Sequence, residues 1–288
     1  MHANVYALGA IALWATLAAL GVALSHVPPF LLTGLALVIG SVPAWPRARE
    51  WRVPASTLAL GIYGLFAYHF LLFMALRSAP AVEANLVNYL WPLLIVVLAP
   101  VILRGFTLHL RHVVAALAGF AGAAMAIAGG REVGGVWSWG YLAAFAAAFI
   151  WSTYSLMTRR VAHFSTAAIG LFGLVSGLLA LACHVVFEPA VQLTARDIML
   201  IVVAGLGPLG AAFFLWDKAL KLGDPRQIGI LSYITPFAST LLLMLATQRT
   251  PTWSIAASAA LIIGAAIVGT RGPQAADKTA AGSSASTT

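Results

Sequence analysis

The sequence predicts an all-α integral membrane protein: ten transmembrane helices arranged as two inverted five-helix repeats around a central cavity. Three observations carry this reading. Of 288 residues, 61% are hydrophobic and only 8% are charged, whereas a soluble surface needs roughly a quarter of its residues charged. Apolar segments of about twenty residues, the length that crosses a hydrocarbon core of about 30 Å, fill almost the whole chain. Finally, Ala75-Leu76-Arg77, Tyr89 and Pro92 return as Ala219-Leu220-Lys221, Tyr233 and Pro236, every pair offset by 144 positions.

The segments follow from turn and breaker residues. The first runs over 5–25 and stops at Val27-Pro28-Pro29; it is longer than a signal-peptide core and lacks a basic leader, so it reads as a retained span. The second, 29–45, ends in the stretch from Pro43 to Pro54. The third, 56–77, closes at Ser78-Ala79-Pro80, and the fourth follows at once over 81–103. The fifth covers 111–129 and ends at Gly129-Gly130. The sixth, seventh and eighth take 138–158, 166–187 and 198–218. Asp224-Pro225 opens the ninth, 226–248, and Thr250-Pro251 precedes the tenth, 252–270. The organisation is then a first repeat at 1–130, a second at 131–271, and a tail at 272–288 whose Ala, Ser and Thr content predicts disorder.

Short loops biased in Lys and Arg orient the spans. With a cytoplasmic amino terminus, twelve basic residues fall inside and four (Arg77, Arg131, Arg196 and Arg249) outside, which predicts both termini cytoplasmic. The net charge of +8 is thereby topological and calls for no nucleic-acid partner. Five spans per half is an odd number, so the second copy enters the membrane inverted. Leu13-Trp14-Ala15-Thr16 in segment one, echoed by Ile150-Trp151-Ser152-Thr153 in segment six, agrees with this division.

Polar and aromatic residues deep in the spans are the candidate binding groups. Trp14, Trp91 and Trp151 lie deep. Trp45, Trp51, Trp137, Trp139, Trp216 and Trp253 lie nearer helix ends and read as interfacial belts. On segment four, Asn85, Asn88, Tyr89 and Pro92 follow the i, i+3, i+4, i+7 spacing of one helical face. The repeat supplies Gly229, Ser232, Tyr233 and Pro236 on the matching face of segment nine. An amide in hydrocarbon needs a polar partner, so this face points inward, toward a pathway or toward another helix. Pro92 and Pro236 each remove a backbone hydrogen bond near mid-helix and are candidate gating bends, or static kinks. Tyr68 and His69 sit near the centre of segment three. Ser155 lies one turn from Trp151 in segment six.

Chemistry other than transport finds little support. There is no His-Glu-x-x-His, Gly-x-Ser-x-Gly or Walker loop, so no enzyme is expected, and the lone Cys183 offers neither disulfide nor metal site. No cofactor is expected. None of the eight carboxylates occupies a span centre. Asp217 pairs with Lys221 at i, i+4. Gly173-x-x-x-Gly177 reads as packing within the chain.

Ten short helices in two inverted halves, a Trp-containing first segment, and Ala-Leu-Arg with Tyr-x-x-Pro echoed by Ala-Leu-Lys with Tyr-x-x-Pro resemble the drug/metabolite transporter superfamily, EamA type. The resemblance covers residues 4 to 271. Asn85-Leu86-Val87-Asn88-Tyr89-Leu90-Trp91-Pro92 is most similar to the YddG-type aromatic amino acid exporters within it. It implies a bacterial inner-membrane exporter with a central cavity bounded by spans one, three, four, six, eight and nine. The expected function is export or facilitated diffusion of amino acids, aromatic ones first, by alternating access at a midplane site. The expected partners are that small molecule and the lipid bilayer, with a monomer favoured. Export of threonine, a nucleoside, a cation or a drug is the alternative. A receptor or retinal-type cofactor protein is the other, but Lys218 and Lys221 sit at an interface rather than mid-helix.

Overall fold

Helices built from apolar runs account for nearly all of the ordered secondary structure in the computed structural model, which describes residues 3–128, 137–247 and 253–270. The expected repeat boundary at 130/131, the outside residues Arg131 and Arg249, and the tail at 272–288 lie outside the described residues. Among the described residues, eight stretches are long and apolar enough to cross a membrane: α1 (Ala3–Ala23), α2 (Pro29–Trp51), α3 (Ala55–Ser78), α4 (Ala81–Ile102), α5 (Leu110–Ala128), α6 (Trp139–Met157), α7 (Ala168–Phe187) and α8 (Ala195–Leu222). Three shorter helices follow: α9 (Pro225–Leu231), α10 (Ile234–Thr247) and α11 (Trp253–Thr270).

Several ends differ from the sequence reading for identifiable reasons. Beyond position 45, α2 continues as a tight 3₁₀ run over Val42–Trp51. Pro43 and Pro46 cannot donate to an α-helical ladder, yet their fixed φ suits tight turns. Helix α8 starts three residues earlier than expected because Thr194 and Asp197 form a capping box. The Thr194 hydroxyl accepts from the Asp197 amide at 3.2 Å, and the Asp197 carboxylate accepts from the Thr194 amide at 2.9 Å.

The fourth and ninth segments are not continuous. Helix α4 breaks into Ala81–Asn88 and Trp91–Ile102 across Tyr89-Leu90, and α9 gives way to α10 across Ser232-Tyr233. Pro92 and Pro236 fall in the first turn after each break, where the missing N–H has no intrahelical acceptor to lose. The bend therefore precedes each proline instead of lying on it. A second pair of irregularities is spaced identically: wide π-type turns at Tyr63–Ala67 in α3 and Gly207–Ala211 in α8, again 144 residues apart.

Packing is pairwise. Helix α2 lies on α7 and α5 on α11; α1 packs on α8 and α3 on α6; α4 meets α9. Glycines permit the closest approaches. A Cβ at Gly40 would lie 2.6 Å from the Gly205 carbonyl oxygen, so α2 and α8 touch backbone to backbone, and one at Gly177 would lie 2.8 Å from the Gly34 carbonyl oxygen on α2. Gly173 and Gly177 thus join α7 to α2 within the chain.

Candidate functional site

The largest aromatic residues meet at the middle of the bundle. Trp14 of α1 donates its indole N–H to the Pro208 carbonyl at 3.1 Å, an oxygen inside the π-type turn of α8. Its ring meets Trp91 edge-on at 6.5 Å between centroids and Trp151 at 5.8 Å. Tyr68 lies 5.3 Å from Trp151, and Tyr154 lies 5.4 Å from it. The three deep tryptophans named from the sequence form one cluster.

Trp216 requires a correction. It is no interfacial belt residue: it is 1% exposed, 5.2 Å from Trp14 and stacked at 6.3 Å on Trp151, with its N–H donated to the Ser155 hydroxyl at 3.1 Å. The helix that carries it runs to Leu222 rather than ending near 218, which moves Trp216 a turn deeper.

Above this cluster a cavity of about 500 Å³ is lined by α1, α2, α3, α4, α6, α8 and α10. It extends to the end of the bundle where α1 meets α2 and α3 meets α4, passing Leu24, Pro29, Leu76 and Ala81. Among its described lining residues there is no Asp, Glu, Lys or Arg. Of the residues singled out from the sequence, Trp14, Tyr68, His69, Asn85, Asn88, Tyr89, Trp91 and Trp151 all line it. The Asn88 amide donates to the Tyr68 hydroxyl at 3.3 Å. The π-type turn at Tyr63–Ala67 immediately precedes Tyr68 and His69 and re-aims them relative to a regular helix.

The matching residues of the second half do not line the cavity. Tyr233 is 0% exposed, wedged against Gly119 and 6.4 Å from Phe120 of α5. The Ser232 hydroxyl donates to the Gly229 carbonyl of its own helix at 2.5 Å, and Gly229 packs on Ile95 and Pro92 of α4. Ser155 is spent on Trp216. Lys218 lies over the Tyr6 ring at 5.1 Å, and neither it nor Lys221 lines the cavity.

Thr33, Phe213, Thr235 and Ser239 line the cavity but were not singled out from the sequence. The 144-residue offset could have found two of them, since it carries His69 onto Phe213 and Trp91 onto Thr235.

The far end of the bundle is sealed in tiers. Below Trp216, the Asp217 carboxylate accepts from Thr166 at 2.6 Å and from Lys221 at 2.7 Å. Lys221 also donates to the Phe164 carbonyl at 2.9 Å. Further out, two guanidinium groups lie over the Phe106 ring, Arg159 at 5.4 Å and Arg226 at 5.0 Å from its centroid. Arg226 donates to the Thr107 carbonyl and Arg159 to that of Gly223. Such cation–π contacts are worth about 0.5–2 kcal/mol each, more where water is excluded.

A polytopic helical bundle with an uncharged, aromatic-walled cavity, open at one end and sealed at the other, is the form of a membrane carrier. The chain belongs to the EamA-like transporter family, which matches it in two stretches, residues 1–128 and 138–270. It is 43% identical over 271 residues to a protein of Ancylobacter novellus named aromatic amino acid exporter YddG, covering 91% of this chain and 94% of that one. A protein of the same name from Escherichia coli K12 is 24% identical over 92% of this chain and 96% of its own. A solved crystal structure aligns over 93% of this chain and 96% of its own with a TM-score of 0.88 and 42% identity. The protein is a multi-pass membrane transporter.

Proposed function

We propose that the protein exports amino acids, aromatic ones foremost, from cytoplasm to periplasm across a bacterial inner membrane. The observation that carries this is the cavity itself: three indoles and two tyrosines supply stacking surface for a ring, asparagines supply hydrogen bonds for a zwitterion, and no described lining group carries a formal charge. The name of the Ancylobacter relative supports the same substrate class.

The transport unit is ten spans in two inverted halves, with α9 and α10 together making one crossing. Support comes from the paired breaks and paired π-type turns at one offset, and from contacts that map onto themselves when the halves are exchanged. Under that exchange α1 on α8 becomes α6 on α3, while α2 on α7 and α5 on α11 are their own images. The two stretches of family match at 1–128 and 138–270 support the division at 130/131. The basic-residue bias favours both termini in the cytoplasm. The cavity then opens to the periplasm, and the Phe106 tier seals the cytoplasmic end. The chain acts as a monomer without a cofactor. Tyr89 lines the open half-pathway, and Ser232 and Tyr233, packed against α4 and α5, belong to the closed one; Pro92 and Pro236 mark the segments that reorient between states.

The test is flux. Purified protein in proteoliposomes is expected to exchange labelled phenylalanine or tryptophan, and Trp151→Ala to lose that flux while eluting as the same species in detergent. Undiminished flux in the variant removes Trp151 from the site, and counterflow favouring a nucleoside, a cation or threonine over aromatic amino acids overturns the substrate assignment.

A further inference from the structure

One cavity group has its hydrogen-bonding state fixed by its neighbours. His69 Nδ1 lies 2.6 Å from the Leu65 carbonyl oxygen one turn earlier. A carbonyl only accepts, so Nδ1 carries the hydrogen. The ring is buried beside Tyr68, Phe73 and Phe213 at centroid distances of 5.0, 6.1 and 6.2 Å, and no described carboxylate reaches it. An imidazolium there would be an unpaired charge in an apolar wall. The neutral ring therefore turns a bare lone pair at Nε2. No described group donates to Nε2, and it is not among the atoms sealed from solvent.

The indoles complete the picture. Trp14 and Trp216 spend their N–H groups on Pro208 and Ser155. The N–H groups of Trp91 and Trp151, both on the cavity wall, have no described acceptor and are likewise not sealed. Beside the amides of Asn85 and Asn88 and the hydroxyls of Tyr68 and Tyr89, the cavity thus offers a strong neutral acceptor at His69 and two indole donors.

We infer that His69 Nε2 accepts an N–H from the substrate's ammonium group while the indole N–H groups of Trp91 and Trp151 face its carboxylate. This rests on the amino-acid reading above and sharpens it: the site selects for a hydrogen on nitrogen, not for positive charge alone. A quaternary ammonium zwitterion of the same ring and the same charge lacks that hydrogen and is rejected, because the lone pair is left against methyl groups.

Competition against labelled phenylalanine in proteoliposomes tests this, with unlabelled phenylalanine and its N,N,N-trimethyl analogue as competitors. In the unaltered protein phenylalanine is expected to compete about tenfold better or more. His69→Asn keeps a donor for Leu65 but has no acceptor at the Nε2 position, and the ratio is expected to collapse toward one; His69→Gln, whose amide oxygen reaches that position, restores part of it. A merely structural role would lower uptake without moving the ratio. An unchanged ratio in His69→Asn, or no discrimination in the unaltered protein, overturns the inference. Absence of any phenylalanine uptake by the unaltered protein instead overturns the amino-acid reading, so the two failures are distinct.

Discussion

At the scale of single residues, the cavity wall is held in position by atoms outside it. A Cβ at Gly64 would lie 2.2 Å from the Tyr154 ring, and Tyr154 packs on Trp151. Gly64→Ala is therefore expected to destabilise the protein by about 1–3 kcal/mol, the usual cost of overpacking, and to depress flux through Trp151; thermal unfolding in detergent beside a transport assay checks both. Trp216→Phe keeps an aromatic ring but removes part of the indole together with its hydrogen bond, leaving a small cavity and the buried Ser155 hydroxyl without its donor, for about 1–3 kcal/mol. The double variant with Ser155→Ala should cost less than the sum of the singles. Some of this was legible in the sequence. The i, i+3, i+4, i+7 spacing puts Asn85, Asn88, Tyr89 and Pro92 on one face; the first three line the cavity, and Pro92, beyond the break at Tyr89-Leu90, does not. Trp216 was misread because depth was judged from a helix end placed too early, and the partners of Ser155 and His69 are tertiary facts that periodicity does not carry.

Helices in this protein end on specific side chains, and one such end carries a prediction. The first amides of α2, Phe30 and Leu31, donate to the two oxygens of Glu188 at 3.0 and 3.1 Å, and His184 lies 3.0 Å from the same carboxylate. The carboxylate comes from the far end of α7, so it caps α2 and ties the two helices together. Glu188→Ala is expected to cost about 2 kcal/mol or more and to speed hydrogen exchange in the first turn of α2, with Glu188→Gln intermediate. Pro29 in that turn lines the cavity, so widening of its mouth should accompany the loss. At this scale hydropathy located each apolar stretch but not the interruptions within it. A break such as Tyr89-Leu90 leaves composition unchanged, and a π-type turn is one extra residue in a run of otherwise helical text. The only sequence trace of the breaks is the recurring Tyr-x-x-Pro, which falls at both of them.

For the whole molecule, the balance between the open and sealed ends rests on few contacts. Phe106 is held by two arginines and lies on the connection between α4 and α5. Losing these two contacts, together worth about 1–2 kcal/mol, should move a two-state equilibrium by about 5–30-fold toward the opposite state. With Cys183 replaced by Ser and Asn85 by Cys, Phe106→Ala is expected to reduce labelling by a membrane-impermeant maleimide supplied on the side to which the cavity opens. Unchanged labelling would mean that the tier does not hold the state. The all-helical membrane fold class could be read from composition, whereas the open end could not, because hydropathy does not say which end of a bundle is parted. A last consequence follows from the cavity's chemistry. Its described lining residues hold no fixed charge, so the wall that faces the substrate sets no fixed charge against it. A zwitterion brings no net charge of its own, so its passage along this lining does no work against the membrane potential.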